Sequence, residues 1–309
     1  MRPAFTLVFF GNMAMSKDME LDTAHAALQH IYGPLWIKRD DLIDPIIGGN
    51  KFRKLKYNIE AAKTEGKNSL LTFGGAYSNH ILATARAGQI HNMPTTGIIR
   101  GHAEHGLSPS LEKAQDMGMT LNFTSREEYK ARYSPDYLSA LQTAYPSAYI
   151  IPEGGTNIHA TKGIAEIRAE LPDDIDVIAT ACGSGGTLAG MITAYADTPQ
   201  ITLLGFSVLK GEDQLTQTIQ TLLDKSGVTP LCKWQVITGH HFGGYAKAPL
   251  TLKTYIKEFH ARHNTPLDYV YTGKMMFGFE AWLKDHSGIK KAVALHTGGL
   301  FTAAVPSAR

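Results

Sequence analysis

The sequence predicts an α/β fold built from two open, twisted, mostly parallel sheets flanked by helices. Three observations carry this. Short apolar runs alternate with amphipathic helical stretches along most of the chain. Several of the runs end in paired glycines that open a helix. The 309 residues are 43% hydrophobic and 19% charged, the balance of a globular chain with a sizeable core.

Taken in order, the apolar runs predict strands at Leu35–Lys38, Ser69–Phe73, Thr96–Arg100, Thr120–Phe123, Tyr149–Ile151, Val177–Ala181, Thr202–Val208, Val270–Tyr271 and Ala292–His296. Between them, amphipathic stretches predict helices at Phe52–Glu65, Ser78–Ile90, Leu107–Met117, Gly163–Glu170, Gly186–Ala196, Gln214–Leu223, Leu250–Arg262 and Lys274–Asp285. The units fall into two clusters. Residues 58–160 are expected to form a small α/β domain, and residues 1–57 with 161–309 a larger one, with "PEGGTN" (152–157) as the crossover. No repeat of fixed period and no low-complexity segment interrupts them. Two facing α/β domains create a cleft, and ligands of such folds bind at the carboxyl ends of strands.

Composition narrows the function. A net charge of +2 argues against a nucleic-acid or anionic-membrane partner, which needs a concentrated basic face. No apolar run approaches the roughly 18–20 residues that span a bilayer. Two cysteines, Cys182 and Cys232, make no disulfide framework, so a reducing, cytoplasmic setting is expected. The opening "MRPAFTLVFFGNMAMSKD" has an apolar core, Phe5 to Phe10, shorter than a signal peptide's roughly 7–15 residues. A first strand or a tail is the expected reading there.

The loop "ATACGSGGTLAG" (179–190) is the most informative. A strand runs into Gly183, Ser184, Gly185, Gly186 and Thr187, and a helix follows. Glycines let backbone approach a ligand, and free N–H groups at a helix start attract an anion. Leu188 stands where an ATP-binding loop would need lysine, and the third small residue of a dinucleotide fingerprint is missing. A lone phosphate on a small cofactor fits; a tight turn without ligand is the plainer alternative. "TFGGAYSNH" (72–80) and "LHTGGL" (295–300) end strands in the same way, although Ser78 or Asn79 could serve only as a helix cap. Lys51 follows Gly48, Gly49 and Asn50 at the first turn of a helix, where an ammonium is electrostatically disfavoured. A neutral, imine-forming amine suits that position better, which is what pyridoxal phosphate requires. The alternative is one more surface lysine on a basic helix. His240 and His241 lack a ligand partner at metal spacing and read as loop residues, so no metal is expected. Cys182 reads as packing.

Together "KRDDL", "GGNKFRKLKYN", "FGGAYSNH", "CGSGGTLAGM", "VYTGKMMFG" and "LHTGGL" resemble the 1-aminocyclopropane-1-carboxylate deaminase/D-cysteine desulfhydrase family. These are pyridoxal-phosphate enzymes of fold type II, like the tryptophan synthase β chain. The likeness runs in order from Leu35 to Leu300; before it, the threonine-proline segment usual near the family's start is not evident. The resemblance implies that Lys51 bonds the cofactor aldehyde and later moves the substrate Cα proton. It implies that Asn79 meets the cofactor's phenolic oxygen and that Ser78 sits at the substrate carboxylate or Cα. Gly183, Ser184, Gly185, Gly186 and Thr187 would hold the phosphate, with Lys54. Tyr245 and Tyr271 match two active-site tyrosines, each of which could instead be a packed residue with a satisfied hydroxyl. A homodimer is implied by the family only.

Two positions bear on the substrate. Deaminases of the family carry glutamate where Thr272 stands, facing the pyridine nitrogen, and tend to carry leucine where Thr297 stands. A carboxylate keeps that nitrogen protonated and strengthens the electron sink; a hydroxyl does not. Thr272 and Thr297 therefore tilt the expectation to β-elimination from D-cysteine, giving pyruvate, ammonia and hydrogen sulfide. The alternatives are deamination of the cyclopropane amino acid and a non-catalytic cofactor or amino-acid binder on the same fold.

Overall fold

The computed structural model describes residues 27–210 and 212–300. The Phe5–Phe10 stretch lies outside these residues. The described chain opens with two short strands, β1 (Leu28–Tyr32) and β2 (Leu35–Lys38), paired antiparallel. Helix α1 (Asn50–Thr64) follows. Next come β3 (Ser69–Gly75), α2 (Asn79–His91), β4 (Thr95–Arg100), α3 (Pro109–Asp116) and β5 (Met119–Thr124). Then α4 (Arg126–Lys130), α5 (Pro135–Ala144), β6 (Ala148–Ile151) and α6 (Ile158–Ala165) lead into β7 (Val177–Cys182). The remainder is α7 (Gly186–Ala194), β8 (Thr202–Ser207), α8 (Glu212–Lys225), β9 (Lys233–Ile237), α9 (Leu250–His263), α10 (Thr272–Lys284) and β10 (Ala292–Leu295).

Ten strands form two sheets among the described residues. One has the order β1-β2-β10-β7-β8-β9, and the other β5-β4-β3-β6. Every pairing except β1–β2 is parallel. The central strands are apolar on both faces because helices cover both. Along β7, Val177, Ala179 and Ala181 join Phe206, Phe259 and Phe279 on one side, while Ile178 and Cys182 join Leu188, Ile192 and Leu203 on the other.

The expected elements recur with shifted ends, and one is corrected. Val270–Tyr271 is not a strand. The Asp268 carboxylate accepts the N–H groups of Val270, Tyr271 and Thr272 at 2.7–2.8 Å and turns the chain into α10. That capping outweighs the strand preference of a Val-Tyr pair too short to hold a ladder. Helix α6 starts at Ile158, capped by Asn157, well before the expected Gly163, and residues 166–170 tighten into a 3₁₀ turn. Strands β1 and β9 and helices α4 and α5 are additional to the expectation.

A buried ionic network ties α1 to its surroundings. The Arg53 guanidinium donates to both carboxylate oxygens of Asp40 (2.6 and 2.9 Å) and both of Glu170 (2.7 and 2.8 Å). Lys38 adds a 2.7 Å pair to Glu170. These contacts fix the start of α1, and with it the lysines that face the other way.

Candidate active site

The carboxyl ends of β3, β4, β7, β8 and β10 surround one cleft of about 1260 Å³, lined there by Gly75, Arg100, Gly183, Ser207 and Thr297. Helix α1 enters it through a corner that only glycine can form. A Cβ on Gly49, whose φ is 77°, would overlap the Thr297 carbonyl, and one on Gly48 would overlap the Asp44 carbonyl. The corner thus seats the start of α1 against the loop after β10, where Asn50 N–H reaches Thr297 O at 3.4 Å.

Lys51 and Lys54 project from this first turn into the cleft. Both ammonium groups donate to one carbonyl, Gly154 O, at 3.2 and 3.3 Å, and Lys54 also donates to Thr156 Oγ1 at 3.2 Å. Burial pulls the Lys51 pKa down to about 8, with the Glu153 charge opposing it. Burial and then the Lys51 charge hold Lys54 well below the usual lysine range.

The glycine turn lies beside them. A Cβ on Gly186 would come within 2.9 Å of Lys54 Nζ, and one on Gly154 within 3.0 Å of Ser184 Oγ. The Lys54 ammonium therefore stands at the N-terminus of α7. Gly185 adopts φ 79°, and a side chain there would press on Ile219 of α8. Thr187 Oγ1 accepts from Asn50 Nδ2 at 2.8 Å, and Ser184 Oγ bonds Thr156 Oγ1 at 2.6 Å. Helix N–H groups, hydroxyls and an ammonium converge on one spot, which is an anion cradle. The Cys182 thiol just before the turn is pushed up to about 12 by burial, so it stays protonated.

The remaining walls come from three loops. Ser78 caps α2, its hydroxyl accepting from Ile81 N–H at 3.3 Å, and still lines the cleft. Asn79 meets the "TGGL" loop; a Cβ on Gly299 would sit 2.8 Å from Asn79 Nδ2. The Tyr271 ring covers Gly183, with Cε1 3.2 Å from where a Cβ would stand. The Tyr271 and Tyr245 rings meet edge-on at 6.4 Å, and their hydroxyls influence one another's proton affinity. Burial and then the Tyr245 charge raise Tyr271 well above the usual phenol range, so its proton is firmly held.

Of the catalytic and cofactor-binding candidates, all but Gly186 and Thr272 line this cleft. Gly186 lies one step behind, as the first residue of α7. Thr272 is fully buried and faces Asp268: its hydroxyl donates to Asp268 Oδ2 at 2.6 Å and accepts from Asp268 N–H at 2.9 Å. Three further residues matter that sequence reasoning passed over. Lys274 donates to the carbonyls of His241 and Gly244 at 2.9 and 2.7 Å and so fixes the loop that presents Tyr245. Glu153, inside "PEGGTN", lines the cleft and is held by Tyr129 and Arg132 at 2.8 and 2.7 Å. His80, the third polar residue of "SNH", lies beside both lysines. Among the described residues no group of three or more His, Cys, Asp or Glu side chains could hold a metal, and no helix is long and apolar enough to cross a membrane.

Comparison with known proteins agrees with this geometry. Residues 20–298 match the family model described as pyridoxal-phosphate dependent enzyme. The chain belongs to that family. It is 31% identical over 293 residues to the mitochondrial bifunctional D-cysteine desulfhydrase/1-aminocyclopropane-1-carboxylate deaminase of Arabidopsis thaliana, covering 86% of this chain and 72% of the relative. A putative 1-aminocyclopropane-1-carboxylate deaminase of Pyrococcus horikoshii is 29% identical over 88% of this chain and 86% of its own. The crystal structure of an ACC deaminase homologue superposes with a TM-score of 0.75 at 28% identity, covering 87% of this chain and 85% of that one. The protein is a pyridoxal-phosphate-dependent enzyme of fold type II, related to the 1-aminocyclopropane-1-carboxylate deaminase/D-cysteine desulfhydrase family. Its residues fit the cofactor: an anion cradle and a buried amine of depressed pKa meet through one shared carbonyl.

Proposed function

We propose that the cleft removes ammonia from a small amino acid by abstraction of its Cα proton and loss of a β-substituent. One observation carries this reading. The Lys51 amine is half neutral at about pH 8 and shares Gly154 O with Lys54, whose own ammonium stands at the glycine turn. Pyridoxal phosphate, when bound, supplies the electron sink that acidifies the substrate Cα. In this chain the turn from Gly183 to Thr187 and Lys54 would hold the phosphate, Asn79 and Thr297 would border the ring, and Lys51 would be the lysine bonded to the aldehyde carbon, its amine freed when the substrate amine takes its place. Ser78 and the N-terminus of α2 hold the substrate carboxylate. The Lys51 amine takes the proton at Cα. The coupled hydroxyls of Tyr271 and Tyr245, both kept protonated by burial, stand where they can give a proton to the departing group.

D-cysteine is the first substrate to test, since Thr272 and Thr297 stand where a strong sink would call for carboxylate and leucine. The cyclopropane amino acid is the second reading, and two observations favour it; its Cα bears no hydrogen, so there Lys51 would take a proton from a ring methylene as the ring bond to Cα breaks. Both relatives named above carry the deaminase name. The Asp268 carboxylate also lies directly behind the Thr272 hydroxyl, a carboxylate one hydroxyl removed. Borohydride reduction of the holoenzyme followed by peptide mapping is expected to leave the pyridoxyl mass on Lys51; its appearance on another lysine overturns the assignment. A pyruvate, 2-oxobutyrate and ammonia assay across D-cysteine, L-cysteine, D-serine and the cyclopropane amino acid then separates the two substrates. Cofactor binding with no keto acid from any of them would leave a binding protein.

A further inference from the structure

Resting on the reading of Tyr245 as a proton donor, we propose that Lys274 is the positioning residue that assembles the tyrosine pair: one turn of α10 carries Tyr271 and, through the Lys274 ammonium, clasps the loop that carries Tyr245. Lys274 is fully buried, among the largest such side chains of the described residues. Among those residues no carboxylate stands at ion-pair distance from it. The Asp268 carboxylate is engaged instead by the N–H groups of Val270, Tyr271 and Thr272. The ammonium donates to two main-chain carbonyls, His241 O at 2.9 Å and Gly244 O at 2.7 Å. Burying a cation without a counter-charge is costly, and methionine would fill the same space without that cost. What methionine could not do is hold two carbonyls.

Those two carbonyls organise the loop. His241 O also accepts the Gly244 N–H at 3.0 Å, and Gly244 O accepts the Lys247 N–H at 3.2 Å. The ammonium therefore sits on the acceptor of each of two successive turns, and Tyr245 lies in the second. The backbone there is strained: Phe242, Gly243, Gly244 and Ala246 have φ of 52°, 96°, 116° and 56°. Of the described residues other than glycine, four have positive φ. Two are asparagines, Asn92 and Asn264, which close α2 and α9 in a conformation common at helix ends. The other two are Phe242 and Ala246, which have no such preference and stand within three residues of Tyr245. Strain of this kind persists only where the surroundings impose it.

Close packing does not place Tyr245, which is 44% exposed. Phe242 anchors the near end of the loop, its ring meeting Phe277 of α10 edge-on at 5.2 Å. The far end, where Tyr245 sits, is tied to the helix through Gly244 O and Lys274. Tyr271 and Lys274 are three residues apart at the start of α10, and the Met275 N–H closes that turn on Tyr271 O at 3.1 Å. The 6.4 Å spacing of the two tyrosine rings is thus set within a single helical turn.

The test is a double-mutant cycle in the holoenzyme, run on D-cysteine or, if the keto-acid assay selects it, on the cyclopropane amino acid. Tyr245→Phe should lower kcat about 10²-fold. Lys274→Met should lower kcat nearly as much with little change in KM, and the double variant should lose no more than Tyr245→Phe alone. Losses that multiply, or a Lys274→Met enzyme with wild-type kcat, overturn the proposal. Gly244→Ala perturbs the same loop without touching Lys274, and stands in if the lysine variant does not fold. Its Cβ would meet nothing closer than Lys210 Cγ at 3.8 Å, but its φ of 116° disfavours any L side chain. It should show the same non-additivity with Tyr245→Phe, and additive losses count against the clasp. ¹⁹F spectra of the cofactor-free chain labelled with 3-fluorotyrosine need no turnover. The Tyr245 signal, assigned from Tyr245→Phe, should shift or broaden in Lys274→Met while that of Tyr129, in the core of the other sheet, stays in place. An unmoved Tyr245 signal overturns the proposal. Full turnover by Tyr245→Phe would sink the reading of Tyr245 as donor instead, and the ¹⁹F signal would still decide the clasp, so the two failures are told apart.

Discussion

Helix α1 carries two kinds of buried cation within one turn, and they meet opposite fates. Arg53 points away from the cleft, 1% exposed, with both carboxylate oxygens of Asp40 and of Glu170 within 2.9 Å. With Lys38 the network holds two cations and two anions, and its partners raise the guanidinium's proton affinity above the ordinary. Lys51 and Lys54 face the cleft and share a neutral carbonyl, with no carboxylate at ion-pair distance among the described residues. Burial drags both pKa values down. Matched charge removes acidity as a variable and makes a strut. Unmatched charge beside a cavity leaves an amine near neutrality, which is what proton transfer needs.

The sharpest way to break this contrast is to remove one member from each side. Lys51→Ala should abolish the visible band of the bound cofactor, expected near ~410–420 nm, and reduce turnover by at least about 10³-fold. It should raise the urea midpoint of the cofactor-free protein at neutral pH, because folding no longer has to depress the pKa of this amine. Retention of the band would show that the unmatched amine is not the covalent one. Arg53→Met should do the reverse. It leaves Asp40, fully buried, without its main partner, at a cost of about 3–5 kcal/mol in urea unfolding. The folded fraction should still carry the band. A stability loss below about 1 kcal/mol would mean that Lys38 alone can balance Asp40 and Glu170.

The two faces of α1 were not equally legible in the sequence. The glycine corner before Lys51 and the strand–glycine–helix turns mark the cleft side, because close backbone approach demands glycine whatever the rest of the chain does. The central strands were equally plain, since burial on both faces leaves mostly apolar residues, broken by a few small hydroxyls such as Thr72 and Thr180. The edge strands were not. β9, "KWQVI", has exposed and half-buried residues, and among the described residues β1 pairs with β2 alone. Helix α4 did carry a signal, a capping box between Ser125 and Glu128, and so did α5, which begins with a Ser134 cap and Pro135 at its first position. The partners of Arg53, Lys274 and His80 were illegible for another reason. Each lies 8 to 117 positions away in the chain, and only folding decides which residue arrives.

The depressed Lys51 pKa gives a graded test. Lysine is lowered from 10.5 to about 8, so between those values the unfolded chain binds a proton that the folded chain does not. Stability of the cofactor-free protein should therefore rise with pH across that window on account of this group. Capture of added pyridoxal phosphate, which needs the neutral amine, should speed about tenfold per pH unit below the midpoint and level off near pH 8. Continued acceleration to pH 10 would place Lys51 with ordinary surface lysines.

The smallest effect probes how unmatched Lys51 is. Glu153 is the one charge that raises its pKa. Its carboxylate is already engaged by the Tyr129 hydroxyl and by Arg132 Nε, and it is 30% exposed. Solvent and Arg132 both weaken its reach, so Glu153→Gln should lower the capture midpoint by about half a unit or less. Freed Arg132 would push in the same direction, which makes that figure an upper bound for Glu153 alone. A fall of more than a full unit would mean that Glu153 is a true counter-ion, and the two faces of α1 would then differ in distance rather than in kind.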